Sequence, residues 1–134
     1  MADTLLKKLL DRVISRVNRG DMRRVFYDVL EALEGCYALI NVEGDDGGSY
    51  LYLVQGGCMD ECPLEERKTE IFRQKHFYLS MPDWTLYDLL LKQMSPAEAV
   101  SYATWGGTAD AHPALVFRRS ERFFELIQTA VSLE

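Results

Sequence analysis

Cysteine and histidine are scarce in this chain of 134 residues, which has three of the first and two of the second. An odd, small number of cysteines does not form the disulfide framework of a secreted domain, so we expect reduced thiols and a cytoplasmic protein. The two histidines, His76 and His112, show no catalytic partner in the sequence, and neither a Gly-x-Ser-x-Gly motif nor a phosphate-binding glycine loop is present. We therefore predict that the protein is not an enzyme and needs no cofactor.

Long apolar runs and an excess of positive charge are also missing. No stretch approaches the roughly 18 consecutive apolar residues of a membrane span, and charged residues interrupt the first segment before a signal-peptide core can form. The formal net charge is −6, from 15 Lys and Arg against 21 Asp and Glu. Because phosphate groups attract positive surfaces, we expect no nucleic-acid partner. Because no apolar stretch is long enough to span a bilayer, we expect no integral membrane association.

The chain does have the composition of an ordinary globular protein, with 48% apolar and 27% charged residues. Its length predicts one domain, residues 1–134. The apolar pattern divides this domain into a helical part (1–34), a sheet-rich part (36–81) and a C-terminal helical part (84–131).

The first part is predicted to contain two helices. Apolar residues recur every three or four positions over residues 5–17, and Gly20 suits the left-handed position that follows a helix end. Asp21 is a suitable N-cap for a second helix, which ends near Gly35.

In the second part the apolar period changes to two. Residues 36–42 and 50–54 predict a β-hairpin around an Asp-Gly turn, and residues 76–81 predict a further strand. We place an acidic loop at 58–70, with an ambiguous strand at 68–73.

The last part is predicted to be mostly helical. We expect a helix at 84–92, a short helix at 97–103 that Ser95 caps, and a last helix after Pro113. The stretch 105–113 has no clear assignment. Strands grouped between helices indicate an α+β domain with a sheet rich in antiparallel pairs and helices on one side.

Cys58 and Cys62 are the candidate metal ligands. Two thiols four residues apart in a loop can hold a soft metal, with Cys36 or His76 as further ligands. A structural zinc site usually has two such pairs, and the chain has one. Ordinary thiols are therefore the favoured interpretation.

Large aromatic and methionine side chains accumulate in the C-terminal half. They predict either a core built from large side chains or an apolar pocket for a small molecule, and composition does not separate the two.

Four segments of the chain follow one another in a recognisable order. Residues 42–51 form a hairpin with Asp-Gly-Gly before its second strand, and residues 76–81 form an apolar strand that a helix at 84–90 follows. Residues 92–99, Lys-Gln-Met-Ser-Pro-Ala-Glu-Ala, are similar to a Gly-Lys-Leu-x-Pro-x-x-Ala segment. Together they resemble the sterol carrier protein type 2 family of small lipid-transfer domains, over about residues 17–130. The stretch 105–113 departs from the family, because it lacks the alternating pattern of the family's last strand.

The resemblance implies about five mostly antiparallel strands covered by helices, with an apolar cavity between the sheet and the C-terminal helices. It implies non-catalytic binding or transfer of a fatty acid, acyl-CoA, phospholipid or sterol-like lipid. The residues expected to line the cavity are Trp84, Met94, Tyr102, Trp105, Phe123, Phe124 and Ile127. Two alternatives stay open: the same fold as an interaction or homodimerisation module whose pocket is filled by its own side chains, and a protein that binds metal through cysteine and histidine.

Overall fold

The sheet and its helices form an α+β fold, as predicted. The structure, a computed structural model, describes residues 4–20, 24–63, 76–107 and 113–132. The five helices of these residues are α1 (Leu5–Asn18), α2 (Tyr27–Ala32), α3 (Asp83–Leu90), α4 (Pro96–Tyr102) and α5 (Pro113–Ser132). The five strands are β1 (Tyr37–Glu43), β2 (Gly48–Gln55), β3 (Cys58–Cys62), β4 (His76–Pro82) and β5 (Thr104–Gly107). Within the described ranges, no helix is long and apolar enough to cross a membrane.

The five strands form one mixed sheet in the order β3-β2-β1-β4-β5. The central strand β1 is antiparallel to β2 and parallel to β4, and the β2–β3 and β4–β5 pairs are antiparallel. Three of the four strand pairs are thus antiparallel, which confirms the predicted sheet of about five mostly antiparallel strands.

Alternation along the strands divides the sheet into two faces. Ala38 and Ile40 of β1 are buried in the main core, beside residues of β2 and β4 on the same face. Each described helix contributes buried apolar residues to this core, so these helices lie on one side of the sheet, as expected. The opposite face carries a smaller cluster around Tyr37 and Leu51.

Helix α1 follows its sequence pattern closely. Thr4 caps it by accepting the Lys7 backbone N–H at 3.1 Å, and its buried residues recur every three or four positions. Gly20 follows the end of the helix with φ of +89°, the left-handed conformation that was expected there.

Helix α2 is shorter than predicted, because it begins at Tyr27 rather than near Asp21. Residues 24–26 form a turn in which Phe26 is buried and the carbonyl of Val25 accepts a 2.9 Å hydrogen bond from Arg122 of α5. These contacts with a distant helix outweigh the local helical pattern. Asp21 lies outside the described residues.

The predicted loop at 58–70 was wrong for its first five residues, which form β3. A two-residue turn, Gly56-Gly57, joins β2 to β3, and both glycines have positive φ, +62° and +77°. Such turns match the twist of paired strands and require glycine-like backbones. The ambiguous strand at 68–73 lies outside the described residues.

The C-terminal elements agree with the prediction in kind and differ at their ends. Helix α3 ends at Leu90, and Lys92 follows it with φ of +61°. Ser95 caps α4 by accepting the Glu98 backbone N–H at 3.2 Å. The unassigned stretch begins with the short strand β5, which pairs with β4.

Candidate functional site

Four of the seven predicted cavity residues are packed inside the protein. Met94, Phe123, Phe124 and Ile127 are buried in the main core. The ring of Phe123 contacts that of Phe77 on β4 edge-on, with 6.0 Å between centroids. At these positions the side chains of the protein itself occupy the space beneath the sheet.

The other three predicted residues lie at or near the surface. Trp84 of α3 and Tyr102 of α4 contact each other edge-on, with ring centroids 4.9 Å apart, and are 46% and 51% exposed. Trp105 of β5 is partly buried against the main core. The seven residues therefore fall into a buried group, an exposed pair and one residue at the edge of the core.

The two cysteines of the predicted metal pair lie at opposite ends of β3. Cys58 and Cys62 point to the same sheet face, but four residues of extended strand separate their Cα atoms by about 13 Å. This distance is too long for both thiols to bind one ion. Among the described residues there is no group of three His, Cys, Asp or Glu that is placed to hold a metal. His76 is buried at the start of β4, and His112 lies outside the described residues.

A surface cleft of about 300 Å³ lies between α2 and the β2–β3 turn. We call it the α2 cleft. It is lined by Tyr27, Leu30, Glu31, Glu34, Gly56 and Gly57. Leu30 is almost fully buried and forms its apolar floor, whereas Tyr27 is 62% exposed and stands at its side. Sequence reasoning did not find this site.

Two contacts hold the chain around the α2 cleft. Both carboxylate oxygens of Glu34 accept the Gly56 backbone N–H at 3.0 Å. The Gly35 N–H donates to the carbonyl of Val54 at 2.8 Å, which joins the chain after α2 to the end of β2. The turn is thus attached to the chain that follows the helix.

The lining of the cleft combines apolar surface with two carboxylates. The hydroxyl of Tyr27 donates a hydrogen bond to Glu31, and this bond raises the pKa of Tyr27. None of the lining residues is Lys or Arg. Such a lining can bury an apolar group and can attract a positive one.

A row of polar side chains crosses the other sheet face. Ser49 donates to Asn41 at 2.7 Å, Asn41 donates to Ser80 at 3.0 Å, and Ser80 donates to Glu43 at 3.2 Å. Ser80 is buried, and its hydroxyl is engaged in both directions. The row therefore joins β2, β1 and β4 and satisfies their polar groups.

Comparison with known proteins found no matching family model, no matching curated protein and no matching solved structure. The resemblance to the sterol carrier protein type 2 family stays a prediction.

Proposed function

We propose that this protein is a non-catalytic binding protein for a small hydrophobic molecule, the function that the sterol-carrier resemblance implies. The α2 cleft is the observation that carries this proposal. Its volume of about 300 Å³ falls at the lower end of the range for small-molecule sites. Each methylene group of an alkyl chain that the cleft buries fully contributes about 0.8 kcal/mol.

The packing of the interior supports the cleft over the cavity that the resemblance implied. A ligand between the sheet and α5 would have to displace side chains such as Phe123 and Phe124, which are at most 2% exposed. Displacing packed aromatic groups costs free energy that ligand contacts must first offset. In the α2 cleft no such displacement is needed, because the space beside Leu30 is already open.

Binding of decanol, a neutral molecule with an alkyl tail, tests the proposal. We expect nuclear magnetic resonance titration to shift the amide signals of Gly56 and Gly57, which line the cleft, and to leave that of Gly106 unchanged. Tyr27→Ala removes one side of the cleft and should weaken decanol binding several-fold.

Tyr102→Ala is the matched control, because it removes a tyrosine of similar exposure that does not line the cleft. It should leave the affinity unchanged. Greater loss with Tyr102→Ala than with Tyr27→Ala would place the ligand at Trp84 and Tyr102 instead. Unshifted Gly56 and Gly57 signals at saturating decanol would refute binding in the cleft.

A second candidate function is self-association as an interaction module. Trp84 and Tyr102 form an exposed aromatic pair. We call these two residues the aromatic surface. Exposed apolar groups that lie together mark interaction sites more often than scattered ones do.

Sedimentation velocity over a range of protein concentrations tests this second function. A homodimer through the aromatic surface should dissociate in the double variant Trp84→Ala/Tyr102→Ala and persist in Tyr27→Ala. A wild-type protein that remains monomeric throughout would exclude the dimer.

We also propose a cytoplasmic location. No disulfide joins Cys36, Cys58 and Cys62, which supports a reducing compartment. Detection of the native protein in a secreted fraction would contradict this proposal.

A further inference from the structure

The α2 cleft has an asymmetric distribution of charge. Glu31 lies on α2 and Glu34 lies just after it, and both line the cleft, whereas none of the described residues that line it is Lys or Arg. Arg122, the cation that contacts α2, donates to both carboxylate oxygens of Asp28 at 2.9 Å and also pairs with Glu125. The positive charge of Arg122 is therefore already balanced by Asp28 and Glu125, two carboxylates that do not line the cleft.

The apolar floor and the carboxylates lie within one opening. The ring of Tyr27 is more than half exposed and offers an apolar surface, and Leu30 beside it is almost fully buried. An aromatic face attracts an organic cation, and carboxylates next to it strengthen the attraction. A negatively charged end group would instead be placed against two like charges.

We infer that the α2 cleft selects an amphiphile whose polar end is an organic ammonium group, such as a quaternary or protonated amine attached to an alkyl chain. This inference rests on the proposed function, since it specifies the ligand of the same cleft. It departs from the fatty acids and acyl-CoA molecules that the family resemblance implies, because both of those carry anionic ends.

Three probes with the same decyl tail isolate the role of the end group: decyltrimethylammonium and undecanoate, each below its critical micelle concentration, and decanol below its solubility limit. Binding is followed at the amides of Gly56 and Gly57. An exposed charge pair contributes up to about fivefold in affinity, so two carboxylates together should favour the ammonium probe over undecanoate by about tenfold. The preference should shrink as salt is added.

Conservative variants identify the groups responsible. Glu31→Gln keeps an acceptor for the Tyr27 hydroxyl, and Glu34→Gln keeps an acceptor for the Gly56 N–H, so both variants remove charge with little change in contacts. Each should reduce the ammonium preference about threefold, and the double variant should remove most of it. Glu98→Gln is the matched control, since it removes one exposed negative charge from α4, away from the lining, and should leave the preference intact.

The outcomes separate the inference from the proposed function. If decanol binds in the cleft and undecanoate binds as tightly as the ammonium probe, the proposed function stands and the charge selection is refuted. A preference that survives in the double variant, or that Glu98→Gln reduces equally, would show that net charge rather than the cleft is responsible, and would also overturn the inference. If none of the three probes shifts Gly56 and Gly57, both proposals fail.

Discussion

Removal of one buried hydroxyl should make this protein more stable. Tyr52 lies on β2 in the main core and is fully buried, and its hydroxyl has no hydrogen-bond partner within the described part of the chain. A buried hydroxyl without a partner costs about 1–3 kcal/mol relative to its hydrated state. Tyr52→Phe removes that cost and leaves a void of only one oxygen atom. We expect the free energy of unfolding to rise by about 1 kcal/mol.

The gain should increase at alkaline pH. Burial, together with the nearby charges of Glu61 and Asp11, raises the pKa of Tyr52 far above its usual value. The unfolded chain ionises this tyrosine above about pH 10, whereas the folded protein keeps it protonated. Ionisation of Tyr52 in the unfolded chain therefore costs the wild type about 1.4 kcal/mol of stability per pH unit above that point, and the phenylalanine variant does not have this contribution.

Urea unfolding, monitored through the fluorescence of Trp84 and Trp105, measures the gain in stability at neutral pH and its increase at alkaline pH. Tyr87→Phe is the matched control, because the Tyr87 hydroxyl donates to Asp46 at 2.8 Å and its removal should cost about 1 kcal/mol at neutral pH. The reasoning is refuted if Tyr52→Phe is less stable than the wild type, or if the difference between them does not grow above pH 10.

Four further substitutions are predicted to change stability. Lys92→Gly should raise the free energy of unfolding by about 0.5–1 kcal/mol, because Lys92 has φ of +61°. Gly35→Ala should lower the free energy of unfolding by about 1 kcal/mol, because Gly35 has φ of +76°. Denaturant titration checks both, and a destabilised Lys92→Gly would contradict the argument. Asp28→Asn should cost up to about 1 kcal/mol at neutral pH. The hydrogen bond from Arg122 lowers the pKa of Asp28. This contribution to stability is therefore present above about pH 4 and is lost as the pH falls through the lowered pKa, so the stability difference between variant and wild type should vanish in acid. A difference that is independent of pH would argue against the Asp28–Arg122 ion pair. Phe124→Ala should cost about 3–5 kcal/mol in thermal or urea unfolding, whereas a cost below 1 kcal/mol would indicate a cavity wall rather than a core position.

The elements that sequence reasoning predicted well are those whose signals are local. Helix α1 has its cap, its apolar period and its terminal glycine within 17 consecutive described residues, 4–20. The first hairpin has β-rich strands on both sides of an Asp-Gly turn. In both cases neighbouring residues decide the conformation, so the prediction needs no knowledge of the rest of the chain.

Strand β3 was missed although one local signal was present. Gly56-Gly57 is a dipeptide typical of two-residue hairpin turns, but Cys58–Cys62 contains no β-branched or aromatic residue. What stabilises this strand is its ladder with β2, and the Asn18 side chain, which donates to the Met59 carbonyl and accepts its N–H at 2.9 and 2.7 Å. A partner 41 residues away cannot be inferred from the strand itself.

The candidate site could not be predicted from the sequence, because it depends on contacts between distant segments and because the apolar pattern does not show which space stays open. Apolar period alone does not distinguish a helix face that packs on a sheet from one that lines a cavity, so Phe123 and Ile127 suited both interpretations. The space that did remain open lies beside residues without side chains. Gly56 and Gly57 are needed because their φ is positive, and a Cβ at Gly56 would meet no atom within 4 Å. The conformation that the turn requires thus places two residues without side chains at the edge of the α2 cleft, where the apolar surface open to a ligand includes the exposed ring of Tyr27.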